Sequence, residues 1–479
     1  MLFNSIEFLF FLPLVFCCYW MLSGSRQWQN LFVVAASYLF YGWWDWRFLL
    51  LIAFTSFCSY WSGILLQKND GNRRVQKWIS AGNISLNLFI LGLFKYFNFF
   101  SENLAALFSS LGYEPDWVML DVLLPVGISF YTFQALSYTI DVYRKKISPT
   151  CDIVTFFAYI SFFPQLVAGP IERATNLLPQ FAKPRSFDYG KAMDGMRQIL
   201  WGFFKKVVVA DNCAVAVTVI FNHYTHESGS TLLLGAVLFT FQIYGDFSGY
   251  SDIAIGTARL FGIDLMKNFH FPYFSRDIAE FWRRWHISLN TWFRDYVYIP
   301  LGGSRGKKGM VFRNTMVIFL LSGLWHGANW TFIVWGAYHA FLFLPLLLLG
   351  KNRKYRDTVA RGRFWPNGKE VLQMGVTFGL VMTGWVIFRA ENMTQAIAYL
   401  RRMFSASLFS WPHWEGCGIA AGGILILLLV EWIQRDKEHA LAIDRQIRSQ
   451  GVRWSIYYVL VLLILMFGGE SVDFIYFQF

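Results

Sequence analysis

Eleven apolar runs recur along this 479-residue chain, and polar or basic segments separate them. A helix needs about 20 apolar residues to cross a bilayer, and in lipid it must satisfy its own backbone groups. Charged residues make up 15% of the chain, against about 25% in soluble proteins. We therefore predict an all-α, polytopic membrane protein with about eleven transmembrane helices. The runs cover residues 6–22, 30–43, 47–66, 82–98, 118–141, 207–221, 231–262, 328–349, 370–389, 418–434 and 454–470.

The chain is predicted to form one membrane domain, residues 1–479, because it has no internal repeat and no shift in composition. The first run, 6–22, lacks the basic flank and the cleavage site of a signal peptide, so we expect it to be a retained span. The six cysteines form no C-x-x-C pair, which indicates small core residues and not a disulfide or zinc framework.

Two segments differ from simple spanning helices. Residues 153–171 are apolar but contain two prolines and have basic flanks, which favours a segment that enters and leaves the membrane on one side. Residues 276–313 are rich in Trp, Tyr and Arg, which is typical of an interfacial helix, and the sequence PLGG predicts a turn at its end.

The net charge of +12 is explained by membrane topology, because Lys and Arg are concentrated in the segments on one side of the membrane. If the N-terminus lies outside, 37 of the 42 Lys and Arg residues fall in inner segments. Inner loops of membrane proteins carry such an excess. We therefore predict that both termini lie outside and that nucleic acid is not a partner. The five exceptions are Arg47, Lys95, Arg389, Arg401 and Arg402.

A histidine interrupts the apolar sequence LSGLWHGANW, residues 321–330. Ionisable residues at membrane depth are rare and costly, so His326 is a functional candidate. A helix that begins near Asn314 would rise only about 18 Å, which places His326 at mid-membrane or in the outer leaflet. The flanking Gly323 and Gly327 suggest space for a substrate. The alternative is a core histidine bonded to a neighbouring helix.

A second histidine lies in the sequence WRRWHISLNTWFRD, residues 282–295. On one continuous helix, Trp282, His286 and Asn290 would share a face and could point together into a cavity. From periodicity alone, a functional role and a structural role for His286 are equally well supported.

Two acids, Asp246 and Asp252, interrupt the apolar run 231–262. Buried carboxylates need partners, and a spacing of six places the two acids on different helix faces. A structural network is therefore favoured over an acid/base pair. The sequence FFPQLVAGPIER offers Gln165, Glu172 and Arg173 as a possible lining of an inner opening.

Several other chemistries lack their sequence patterns. The eight histidines include no H-x-x-x-H pair, so no metal site is predicted. There is no G-x-S-x-G nucleophile elbow and no P-loop for nucleotide hydrolysis. The histidine pair His286 and His326 suits general-base activation of a hydroxyl in acyl transfer, or a proton relay in a transporter.

Four ordered motifs decide between these alternatives. They are FFPQLVAGPIER (162–173), YGDFSGYSDIAIG (244–256), FWRRWHISLNTWFRDYVYIPLGG (281–303) and LSGLWHGANWTFIVWGAYH (321–339). Together they resemble the membrane-bound O-acyltransferase family, and especially its alginate O-acetyltransferase branch. The similarity runs from MLFNSIEFLFFLPLVF at the start to about residue 400, with the motif-bearing core at about 120–350.

The resemblance implies an integral membrane enzyme that moves a short acyl group, usually acetyl, from an inner-side thioester towards an outer acceptor. It implies helices around a funnel that meets a tunnel near the catalytic histidine. His326 matches the near-invariant histidine, and His286 matches the second active-site position. Asn290 and Asn329 stand where the family often has serine. In the alginate branch an outer-side hydrolase-like acyltransferase completes delivery, so we expect a separate partner of this kind.

Further site residues are expected around this pair. A donor-binding rim is expected in the sequence GGSRGKKG, although these cations would serve equally well to fix topology. No bound cofactor is expected, and the donor is acetyl-CoA or an acyl-carrier thioester. The residues expected to line the substrate tunnel are Asn290, Trp325, Trp282, Tyr244, Asp246 and Gln165, and those of the rim are Arg305, Lys307 and Lys308.

We therefore predict a multi-pass O-acetyltransferase of a bacterial inner membrane, acting on an extracytoplasmic, alginate-like exopolysaccharide. One alternative keeps the enzyme class and changes the acceptor to peptidoglycan or a teichoic-acid-like polymer. Another alternative is a transporter that uses His326 in proton coupling.

Overall fold

The computed structural model describes residues 1–113, 119, 124–166, 169–468, 472 and 474–475. These residues form helices and connecting segments without any β-strand, so the all-α prediction is confirmed. Each of the eleven apolar runs overlaps a helix. The beginning of run 118–141, the end of run 454–470 and residues 167–168 of the segment 153–171 lie outside the described residues.

Within the described part of the chain, six helices are long and apolar enough to cross a membrane. Two shorter apolar helices, Ile6–Met21 and Gly418–Ile433, accompany them. The membrane character is therefore confirmed, whereas eleven spans and a funnel that meets a tunnel stay predictions. The six candidate spans are Arg47–Lys68, Arg73–Ser110, Gly229–Leu260, Trp330–Leu348, Gly368–Arg389 and Gln450–Phe467.

The first of two compact units comprises Met1–Ala192 and Ala258–Met266. A five-residue π-helical stretch, Gly92–Tyr96, joins α4 to α5, so both belong to one 38-residue helix. A break at Phe162 separates α7 from α8 within the segment 153–171. The helices of this unit are α1 (Ile6–Met21), α2 (Arg26–Gly42), α3 (Arg47–Lys68), α4 (Arg73–Leu91), α5 (Phe97–Ser110), α6 (Ile128–Tyr143), α7 (Ile153–Ser161), α8 (Phe163–Leu166) and α9 (Ala174–Phe181).

The second unit comprises Met193–Thr257 and Lys267–Phe479, and it contains both candidate histidines. Its helices, two of which extend slightly beyond these bounds, are α10 (Tyr189–Phe203), α11 (Asp211–Asn222), α12 (Gly229–Leu260), α13 (Ile278–Arg284), α14 (Ile287–Phe293), α15 (Lys308–His326), α16 (Trp330–Leu348), α17 (Gly368–Arg389), α18 (Met393–Met403), α19 (Gly418–Ile433) and α20 (Gln450–Phe467). One domain for the whole chain stays a prediction.

Helix α12 is the most buried of the candidate spans, with 83% of its apolar window inside the protein. A helix that is apolar on every side belongs in a core. Glycines let α10 approach it closely. A β-carbon on Gly202 would lie 2.7 Å from the carbonyl oxygen of Gly249, and one on Gly256 would lie 2.4 Å from that of Gly195. Small residues at such crossings allow tight helix packing in membranes.

Candidate active site

His286 lies at a break between two short helices. Helix α13 ends at Arg284, Trp285 is extended, and His286 adopts left-handed backbone angles (φ 44°, ψ 54°) where α14 begins. The prediction of one continuous helix is therefore wrong, and so is the single face that it gave to Trp282, His286 and Asn290. A non-glycine residue in this region is strained and persists only where its surroundings hold it.

Asn290 stabilises this break. Its amide nitrogen donates to the carbonyl oxygens of Trp282 (2.8 Å) and Trp285 (2.6 Å), which have lost their helical partners. Carbonyl groups at a helix end need such donors. Asn290 therefore supports the backbone beside His286, and its expected position on a tunnel wall stays a prediction.

Asn268 fixes the imidazole of His286. Its Oδ1 lies 3.0 Å from His286 Nδ1 and accepts from the hydroxyl of Ser288 at 2.9 Å. Its Nδ2 donates to Ser251 Oγ at 3.0 Å, and its backbone carbonyl accepts from the amide of Ile287 at 2.9 Å. Because Oδ1 is an acceptor, His286 donates through Nδ1–H and leaves a lone pair on Nε2.

This Nε2 is buried and has no hydrogen-bond partner among the described residues. Buried polar atoms are nearly always bonded, and exceptions often mark functional sites. Asn268 is not among the residues predicted from the sequence. Its only local signal is a polar residue in the sequence KNFHFPYF, and its distance along the chain from His286 hides the contact.

His326 is the last residue of α15 and lies among aromatic rings. The centroid of its ring is 5.2 Å from that of Trp335, 5.4 Å from that of Phe388 and 6.4 Å from that of His286. The structure thus brings together the two histidines that the sequence singled out. Both are buried. Apolar surroundings disfavour a charged imidazole, so both rings are expected to be neutral.

Two local expectations about His326 are wrong. Helix α15 begins at Lys308 and not near Asn314, so its 19 residues rise about 28 Å and not 18 Å. The flanking glycines do not provide space for a substrate. A β-carbon on Gly323 would lie 2.2 Å from the carbonyl oxygen of Phe332, and one on Gly327 would lie 2.1 Å from the Phe332 ring. Residues at the start of α16 occupy that space.

A third histidine, His339 on α16, extends the site and was missed. Its ring centroid lies 4.9 Å from that of Trp282 and 5.1 Å from that of Trp335. Neither ring nitrogen of His339 has a hydrogen-bond partner in the described part of the chain, and the same holds for the indole nitrogens of both tryptophans. His339 closes the fourth motif, and its apolar context was the available signal.

The expected lining residues Tyr244 and Asp246, and the second acid of the same run, Asp252, have defined partners. The Tyr244 hydroxyl lies 2.8 and 2.9 Å from the two carboxylate oxygens of Glu431. Asp246 forms a 2.8 Å ion pair with Lys206. Asp252 forms a 2.5 Å pair with Lys205. These acids therefore have the network partners that their burial requires.

The remaining expected residues lie in different surroundings. Trp325 is buried, with its ring 5.7 Å from that of His286. Gln165 lies in the first unit, where its amide nitrogen donates to Gln134 at 2.8 Å. The expected rim residues Arg305, Lys307 and Lys308 are exposed. In the described residues, no three His, Cys, Asp or Glu side chains are grouped as a metal site would require.

The geometry of the second unit can support acid/base chemistry on an uncharged substrate. Two neutral imidazoles offer a proton acceptor and a hydrogen-bond acceptor, and the surrounding rings exclude water. Aromatic side chains surround both imidazoles, so the surroundings of the pair are largely apolar.

Comparisons with known proteins identify the family. The family model described as MBOAT, membrane-bound O-acyltransferase family, matches residues 5–384. The chain is 43% identical over 417 residues to a probable alginate O-acetylase of Pseudomonas aeruginosa, which covers 87% of this chain and 76% of that protein. It is 34% identical to a peptidoglycan O-acetyltransferase of Helicobacter pylori, over 86% of this chain and 81% of that protein.

A more distant relative is a teichoic acid D-alanyltransferase of Bacillus subtilis, 29% identical over 56% of this chain and 69% of that protein. All three relatives are named for the transfer of an acyl group. The family match spans most of the chain, including all four motifs and both site histidines. The chain therefore belongs to the membrane-bound O-acyltransferase family and is an acyl-transferring membrane enzyme.

Proposed function

We propose that this enzyme takes an acetyl group from a cytoplasmic thioester and transfers it for O-acetylation of an alginate-like extracytoplasmic polysaccharide. The observation that carries the proposal is the buried pair of imidazoles, with 6.4 Å between the ring centroids of His286 and His326. The relative named as a probable alginate O-acetylase, similar over 87% of this chain, supports the acceptor class.

In this proposal His326 is the general base. It takes the proton of the attacking hydroxyl, whose oxygen forms the ester bond to the thioester carbonyl carbon. The carbon–sulfur bond then breaks, and the proton returns from His326 to the leaving sulfur. His286 accepts a hydrogen bond through its unpartnered Nε2 from a second donor group of the acceptor molecule, and so orients the attacking hydroxyl towards His326. Atoms and charge balance without a cofactor.

The donor is proposed to approach from the cytoplasmic side. Acetyl-CoA carries phosphates that cannot enter a bilayer, whereas its pantetheine arm is narrow and about 20 Å long by bond geometry. We propose that the exposed Arg305, Lys307 and Lys308, directly before α15, hold the anionic end of acetyl-CoA or of an acyl-carrier protein. The same cations also support the orientation with both termini outside.

The acceptor defines a second candidate function. The relatives named as a peptidoglycan O-acetyltransferase and a teichoic acid D-alanyltransferase favour a cell-wall polymer as the alternative. For either acceptor we propose a bacterial inner-membrane location and an outer-side hydrolase-like partner that completes delivery. The membership of an acyltransferase family argues against the proton-coupled transporter that the sequence left open.

The experiment that tests this function compares cells that carry the gene with cells from which it is deleted. Exopolysaccharide, peptidoglycan and teichoic-acid fractions are isolated, and the ester-linked acetate of each is measured after mild base. We expect loss of acetate from the exopolysaccharide alone and recovery on complementation. Loss from a cell-wall fraction would instead select the second candidate, and unchanged acetate in every fraction would contradict the proposal.

A further inference from the structure

An open cavity of about 570 Å³ lies in the second unit, in the segment between α16 and α17 and the residues that follow α19. Its lining residues include the cations Arg356, Arg361 and Arg435 and the acids Asp357 and Asp436. The predicted tunnel contains none of these residues. The cavity is therefore separate from the predicted substrate tunnel.

The acids of this cavity are already paired. Asp357 lies 3.2 Å from Arg276, and Asp436 lies 3.3 Å from Lys437. By contrast, Arg356 and Arg361 form no ion pair with any residue that the structure describes. The cavity thus carries an uncompensated positive charge, which attracts anions.

The backbone of the cavity wall also favours an anion. Ala360 and Gly362 both have positive φ, 50° and 73°, and Arg361 between them does not. When successive residues alternate between right-handed and left-handed backbone conformations, their N–H groups converge. They then form a concave nest that binds phosphate oxygens. Ala360 adopts this conformation despite its β-carbon, so the surroundings must hold it there.

Arg435 holds that turn in place. Its guanidinium donates to the carbonyl oxygens of Val359 (3.0 Å), Ala360 (3.3 Å) and Arg363 (2.6 Å). The amide of Ala360 donates to Glu370 at 3.3 Å. With these carbonyls turned towards Arg435, the amides of Arg361 and Gly362 make no backbone hydrogen bond within the described residues.

We propose that this cavity binds a phosphate or diphosphate group, held by Arg356, Arg361 and the amides of the 360–362 turn. Arg forms strong charge-assisted hydrogen bonds with phosphate. Two sources share this chemistry: a soluble phosphorylated molecule and the headgroup of an anionic phospholipid. The proposal stands on the cavity alone and does not depend on the proposed acetyl transfer.

The segment that lines this cavity is hydrogen-bonded to the helix that precedes His286 and to Arg276, which lies shortly before that helix. Arg283 on α13 donates to the carbonyl oxygens of Asn352 and Tyr355, both at 2.5 Å. Arg276 donates to the carbonyl oxygen of Asp357 at 2.7 Å. Helix α13 ends two residues before His286, so these hydrogen bonds connect the segment 352–362 to the helix beside the candidate active site.

The test measures binding of inorganic pyrophosphate to the full-length protein in uncharged detergent by titration calorimetry. The Arg356→Gln/Arg361→Gln variant is expected to bind about tenfold more weakly or worse, because it loses two charge-assisted hydrogen-bond donors to the phosphate oxygens. The matched control is Lys351→Gln/Arg353→Gln, which removes two exposed cations of the same segment that do not line the cavity. It should bind as the wild type does.

A second arm identifies the source. The wild type is placed in phosphatidylcholine nanodiscs with or without phosphatidylglycerol, and pyrophosphate binding is repeated. If phosphatidylglycerol competes with pyrophosphate, the cavity is assigned to a lipid headgroup. If phosphatidylglycerol does not compete, the cavity is assigned to a soluble phosphate compound. The proposal is overturned if the wild type in uncharged detergent binds no pyrophosphate, or if the control loses as much affinity as the cavity variant.

Discussion

The imidazole rings of His286 and His326 lie 6.4 Å apart although forty residues separate them along the chain. One comes from a break between two short helices and the other from the last residue of a long helix. Neither helix alone could place two titratable side chains in this apolar interior. The pair therefore depends on the packing of the second unit.

The role proposed for His286 is hydrogen bonding through Nε2, and its substitutions should rank accordingly. Gln and Asn each offer a carbonyl oxygen as an acceptor, whereas Ala offers none. We expect His286→Gln and His286→Asn to keep more acyl-transfer activity than His286→Ala, with the Ala variant reduced by about 100-fold. The measurement is polymer acetylation at equal protein level. Equal, complete loss in all three would instead indicate an obligatory proton or acyl carrier.

Asn268 is expected to position His286. Asn268→Ala removes the acceptor at Nδ1, so the ring is no longer fixed, and kcat should fall by about tenfold or more with little change in KM. Asn268→Asp keeps an acceptor but adds a negative charge, which favours a protonated His286. The acidic limb of the pH–rate profile should therefore move to higher pH. The control Ser288→Ala removes the other hydrogen bond to the same oxygen.

For Asn268 a purely structural role gives a different result. It would lower the amount of folded protein and leave kcat and the pH–rate profile of the remaining enzyme unchanged. Wild-type kcat in purified Asn268→Ala would contradict the positioning role while leaving the acyl-transfer proposal intact.

The sequence predicted much of the fold because apolar runs of spanning length have few alternatives in lipid. It also singled out His286 and His326 and, through their motifs, the family. It failed where tertiary contacts decide the conformation. No Gly or Pro marks the break at Trp285, because a bond from Ile287 to Asn268 and the amide of Asn290 hold the chain there. Likewise, a glycine such as Gly327 indicates that another group packs closely against the backbone, but the sequence does not show that this group is the Phe332 ring.

His270 should make stability depend on pH. Burial, with Lys267 and Arg284 nearby, lowers the pKa of His270 to about 4 from 6.5. The unfolded chain therefore binds a proton near pH 6.5 that the folded protein does not accept until about pH 4. Its contribution to stability is present above pH 6.5 and is lost as the pH falls towards 4.

The measurement for His270 is the Tm in detergent between pH 7 and pH 4. The decrease should be smaller, by roughly a few degrees, in His270→Gln than in the wild type. His226→Gln is the control, because this histidine is exposed. Identical pH dependence in the wild type and His270→Gln would contradict the assignment.

The distribution of Lys and Arg along the chain predicts the orientation of the protein in the membrane. Cysteines introduced at the exposed positions Arg74 and Arg353 should react with a membrane-impermeant maleimide only from the cytoplasmic side, and one at Thr225 only from outside. The six native cysteines are first replaced so that they do not react. Labelling of any of these positions from the opposite side would overturn the proposed topology.

The most direct test of the account is the acetylation of the envelope polymer by cells that carry His326→Ala. General-base catalysis contributes on the order of 10²–10⁴ in rate, so acetylation should fall to background although the protein is present and folded in the membrane. Protein level and Tm are measured in the same preparations to establish this. Wild-type acetylation by a folded His326→Ala protein would contradict the central claim that this imidazole performs the transfer.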